Sequence, residues 1–126
     1  MSEQACCGEG ASTLIFACSG ASNVGQIANG AALALAREGR GTMSCIAAIG
    51  AHLDGFVVSA KDCERLVVID GCDHRCAFES FAHQGLTPNV YTLVTGLGLE
   101  KRHDADPTAD EIDRVRSTVV GLMRAK

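Results

Sequence analysis

Four short apolar runs, none of them alternating with polar residues, recur along this chain with a helical stretch after each. The runs are Leu14-Ile15-Phe16-Ala17-Cys18, Thr42-Met43-Ser44-Cys45 leading into Ile46-Ala47-Ala48-Ile49-Gly50, Leu66-Val67-Val68-Ile69, and Val90-Tyr91-Thr92-Leu93-Val94. A strand without alternation is buried on both faces. Helical spacing follows each run: Val24, Ile27, Ala28, Ala31 and Leu35 after the first, then residues 53–64, 72–83 and 108–124. Asn23 to Gln26 and Thr108 to Glu111 have the three-residue spacing of a capping box. Strand and helix in turn imply right-handed crossovers. The expected fold is therefore α/β: a small doubly wound, Rossmann-like, four-stranded parallel sheet with helices on both faces. The second run could be strand throughout or could stop near Cys45, and strand orders 2-1-3-4 and 3-2-1-4 are both open.

A chain of 126 residues has room for one core. Residues 1–12, polar and glycine-rich, are expected to be a flexible lead-in, with 13–126 a single α/β domain. Aromatic residues make up only 4% while glycine numbers 14, which suits helices lying close against a sheet. A net charge of −4 argues against a nucleic-acid partner. No run approaches the ~20 apolar residues needed to cross a bilayer, so no membrane association is expected. Met1 to Gly10 lacks the basic-then-apolar layout of a signal peptide. The expected setting is the cytoplasm, where grouped cysteines are metal-binding or reactive more often than paired.

Seven cysteines are present. Cys18, Cys45 and Cys72 recur at an interval of 27 residues (45 − 18 and 72 − 45), close to one strand-plus-helix unit. That register puts all three at the carboxyl ends of successive strands, where doubly wound sheets bind ligands. Cys76 lies four residues after Cys72. On a helix beginning near Cys72 the two share a face, and the helix N-terminus favours thiolates. Zn²⁺ held by four such thiolates is the leading expectation. An iron–sulfur cluster or a metal-free redox thiol pair would use the same residues, and plain core packing is the bland alternative. Cys63 reads as core or surface, and Cys6 and Cys7 as incidental thiols of the lead-in.

The blocks Leu14–Asn29, Met43–Phe56 and Leu66–Cys76 resemble the DGC-domain family, named for an Asp-Gly-Cys motif that is here Asp70-Gly71-Cys72. The resemblance extends to about Lys101 and leaves the C-terminal helix outside. It implies zinc binding through four cysteines, matched by Cys18, Cys45, Cys72 and Cys76, and supplies a ligand set without a reaction. Asp73-His74 departs from the Pro-Val common after the motif.

The loop Ser19 to Gly25 joins a strand to a helix start, so Gly20, Ser22 and Asn23 could offer amides to an anion or to thiolates. The phosphate loops of low-molecular-weight phosphatases read C-x5-R, but the residue six after Cys18 is Val24, so nothing grips a phosphate. His52 could approach the same rim, whereas His74, His83 and His103 read as surface residues. Asp70 and Gly71 are expected to support the site or simply to form the turn. The implied partner is a metal ion; neither a small-molecule nor a protein partner can be read from the residues.

Overall fold

The computed structural model describes residues 12–125; the lead-in up to residue 11, with Cys6 and Cys7, and Lys126 lie outside the described residues. Four strands, β1 (Thr13–Ala17), β2 (Thr42–Met43), β3 (Arg65–Asp70) and β4 (Val90–Leu93), form one sheet in the order β2-β1-β3-β4. All neighbours are parallel, and β1 matches β3 over five positions from Thr13↔Arg65 to Ala17↔Ile69. Around the sheet run α1 (Asn23–Arg37), α2 (Ile46–Gly50), α3 (Asp54–Asp62), α4 (Cys76–Ala82) and α5 (Ala109–Ala125), with a short 3-10 turn at Val94–Leu97.

The apolar runs become central strands because both of their faces are covered. Ile15, Ala17, Val67 and Ile69 point to one side, where Val24, Ile27, Ala31 and Leu35 of α1 and Val115 and Val119 of α5 meet them. Leu14, Phe16, Leu66 and Val68 point to the other, against Ile49, Val57, Ala60, Ala77 and Phe81. Phe16 and Phe81 meet edge to face at 4.8 Å. Each fully buried residue of this kind contributes roughly 1.5–3 kcal/mol. The sheet centre is thus the rigid part of the domain, and whatever hangs from its ends inherits a fixed position.

Three details differ from the sequence expectation. Strand β2 ends at Met43, and Ile46–Gly50 is a helix with Cys45 at its N-cap. Helix α4 begins at Cys76 and not at Cys72, because Arg75 adopts a left-handed backbone at φ 54° immediately before it. Cys72 therefore lies in the preceding turn, and the helix-face argument pairing it with Cys76 does not hold. Finally, Ser22 caps α1 by accepting from the Gly25 amide, which leaves Asn23 free for another task. The box at Thr108 and Glu111 forms in both directions ahead of α5.

The order 2-1-3-4 sets the chain's switch point between β1 and β3, which cross over to opposite sides. Ligand crevices open at such a point, beyond the carboxyl ends of the strands. The residues following β1 are Cys18 to Ser22, and those following β3 are Gly71 to Arg75.

Candidate thiol site at the strand rim

A cavity of about 510 Å³ occupies this crevice, a size typical of small-molecule sites. Cys18, Cys72 and Cys76 line it, with Gly20 and Ser22 from the β1–α1 loop, Ile46 and Ala47 from α2, and Lys101 and His103 beyond β4. Among the described residues, no three His, Cys, Asp or Glu side chains converge on one metal-sized point. Three sulfurs thus share one cavity without being drawn together.

Their surroundings differ. The Cys18 sulfur accepts from the Gly71 amide at 3.1 Å. Burial pushes the Cys18 thiol up, an effect the Gly71 amide opposes and the Asp70 and Cys76 charges reinforce. Cys72 is half-buried and receives the Lys101 ammonium at 3.4 Å. Cys76 is exposed at the start of α4. It also borders a smaller hollow of about 210 Å³ lined by Gly50, His52, Glu79, Ser80 and His83. Cys45 is exposed and outside the cavity lining, although the next two residues belong to it. Cys63 ends α3, donating to the Ala60 carbonyl at 3.2 Å, and is no part of the rim.

The three residues of the Asp-Gly-Cys motif have separate duties. The Asp70 carboxylate is 1% exposed and turns away from the cavity to cap α4 from the end of β3. It accepts from the amides of Ala77 at 2.9 Å and Phe78 at 3.0 Å and from the Tyr91 hydroxyl at 2.9 Å. Burial, with Asp70 alongside, drives the Tyr91 phenol well above its ordinary range. Arg75 stacks on Phe78 and Tyr91 at 4.2 and 5.1 Å, which holds its unusual backbone in place. Gly71 is required by proximity: a Cβ there would lie 2.8 Å from backbone atoms of Val24 and Gly25. Of the motif, Gly71 and Cys72 line the cavity and Asp70 does not.

Asn23 also has a structural task. Its side chain donates to the Glu100 carbonyl and accepts from the Arg102 amide, and its own amide donates to the Arg102 carbonyl. These three bonds fasten the segment after the 3-10 turn across the cavity and hold Lys101 against Cys72.

Lys101 was not among the residues the sequence singled out; His74 and His103 are exposed, as expected, and also line the cavity. His52 belongs to the neighbouring hollow and has a left-handed backbone at φ 61°. No local signal marks Lys101; its position depends on a contact 77 residues away in sequence.

The DGC domain model matches residues 14–119. The chain belongs to the DGC-domain family. The match runs well into α5, so the C-terminal helix lies largely inside the DGC domain and not outside it. The chain is also 35% identical over 102 residues to the anaerobic and virulence modulator AnvM of Pseudomonas aeruginosa, covering 81% of this chain and 78% of that relative. No solved structure matches the chain.

Proposed function

We propose that this DGC-domain protein is a metal-dependent regulatory protein of the cytoplasm. Its Zn²⁺ ligands are Cys18, Cys72 and Cys76, with Cys45 as the candidate fourth. The carrying observation is the shared cavity: three sulfurs from two strand ends and one helix start line it together. Soft thiolate donors suit Zn²⁺, and they suit iron–sulfur clusters as well. A zinc ion with four thiolates carries a charge of −2. The Lys101 ammonium and the Gly71 amide already sit on two of these sulfurs and would offset part of it. Asp70 is excluded from the ligand set by its three hydrogen bonds.

A regulatory role is supported by the similarity to AnvM, named as a modulator. A cytoplasmic setting is supported by five free cysteines among the described residues. No helix among them is long and apolar enough to cross a membrane. Metal binding would tie together the segments after β1 and β3 and the start of α4, which gives metal occupancy a means of changing the surface at this end.

Elemental analysis of anaerobically purified protein tests this reading. The wild type is expected to carry about one equivalent of zinc, and Cys72→Ser/Cys76→Ser to lose it. A brown protein with iron and charge-transfer absorption would instead select the cluster. Equal metal content in wild type and double variant would defeat the assignment.

A further inference from the structure

The chain is acidic overall, with 15 Asp and Glu against 11 Lys and Arg, yet among the described residues no Asp or Glu lines the cavity. Its ionisable lining consists of three cysteines, Lys101, His74 and His103. The motif's own carboxylate, Asp70, is occupied by Ala77, Phe78 and Tyr91. The opposite wall is apolar, built from Ile46, Ala47 and Ala77. An apolar wall with a few fixed polar groups is the usual make-up of an organic-ligand site.

The cation is held in place. Asn23, 5% exposed, makes three hydrogen bonds to residues 100 and 102. Lys101 lies between those two residues. A buried side chain devoted to one short segment fixes the direction in which that segment's lysine points. An ammonium has three donors, and Cys72 occupies one. Lys101 and the Ser19–Ser22 loop line the same cavity. Among the described residues, the amides of Ser19, Ala21 and Ser22 donate to no carbonyl.

We propose that this cavity is an anion-selective pocket for a small organic carboxylate, with the head group at Lys101 and the β1–α1 loop and the body against Ile46, Ala47 and Ala77, in contact with Cys72. The proposal goes beyond the metal reading and stands without it, since it needs the lysine, the loop and the wall but no ion.

Paired alkylating reagents test it on the full chain, both as purified and after chelation. Iodoacetate carries a carboxylate and iodoacetamide is its neutral counterpart. In both reactions a sulfur–carbon bond forms, the carbon–iodine bond breaks, iodide leaves and the thiol proton passes to solvent. Peptide mass spectrometry gives the iodoacetate-to-iodoacetamide rate ratio at each cysteine. That ratio is internal to each thiol, so a metal that slows both reagents equally does not disturb it. The ratio at Cys72 is expected to exceed that at exposed Cys45 by about tenfold, the scale of one nearby opposite charge in a partly wet site. Lys101→Met and Lys101→Gln should bring it to the Cys45 value, and Lys101→Arg should preserve it. Equal ratios at Cys72 and Cys45 in the wild type would overturn the proposal. A raised ratio surviving in folded Lys101→Met protein would overturn it as well.

Discussion

Replacing Asp70 by alanine should unfold the protein more readily than any substitution at the cysteines. The carboxylate caps α4 from outside the helix, taking the Ala77 and Phe78 amides and the Tyr91 hydroxyl. Loss of a helix cap removes about 1–2 kcal/mol. Leaving the Tyr91 hydroxyl without its acceptor adds about 1 kcal/mol more, so the loss should total roughly 2–3 kcal/mol. With no Trp and a single Tyr, urea unfolding is best followed by far-ultraviolet circular dichroism. At a slope of about 1.5–2 kcal/mol per molar urea the midpoint falls by roughly 1–2 M. Chelated protein should be used, so that any metal contribution is absent from both variants. Asp70→Asn, which keeps one acceptor oxygen, should lie between wild type and alanine. A loss below about 1 kcal/mol for Asp70→Ala would refute the capping role.

Other outcomes follow from the same structure. Gly71→Ala drives a Cβ within 2.8 Å of the α1 backbone and should cost about 2 kcal/mol or more by thermal unfolding, whereas Gly30→Ala should stay within about 1 kcal/mol of wild type. The difference lies in the neighbour: Gly30 meets the flexible end of the Ile112 side chain, also at 2.8 Å, which can turn aside. Thr92→Val removes a buried hydroxyl oxygen that has no partner among the described residues and should be neutral or stabilising by about 1 kcal/mol in the same assay. Cys18 and Cys63 both have thiol pKa values raised above 9.0, chiefly by burial. Their folded states hold the proton more tightly than the unfolded chain, so this stability is present below pH 9 and is lost as pH rises through the folded values. The urea midpoint of chelated protein should therefore fall above pH 9, and Cys18→Ala should flatten that fall; a midpoint that rises there would contradict the burial argument.

The sheet was readable because its evidence is local. Leu66 to Ile69 is apolar at every position, and only a strand covered on both faces uses such a run. The register of Cys18 and Cys72 at strand ends followed from it. Ile46 to Gly50 was not readable, since five apolar residues fit a buried strand or a short helix equally well. What decides it is that β2 has already ended at the sheet edge. The start of α4 was misplaced for a different reason. A left-handed arginine is rare, and Arg75 is held there by Phe78 and by Tyr91 from another strand. Lys101 was invisible for the same reason: its place depends on Asn23, a residue at the far end of the chain. Local pattern thus located the rim, while the partners of each group on that rim came from contacts between distant segments.

X-ray absorption at the zinc edge of anaerobically purified protein addresses the metal assignment most directly. The account predicts a zinc ion surrounded by sulfur at about 2.3 Å, with that shell lost in Cys72→Ser/Cys76→Ser. A zinc shell made only of nitrogen and oxygen at about 2.0–2.2 Å, or a sulfur shell unchanged in the double variant, would contradict it.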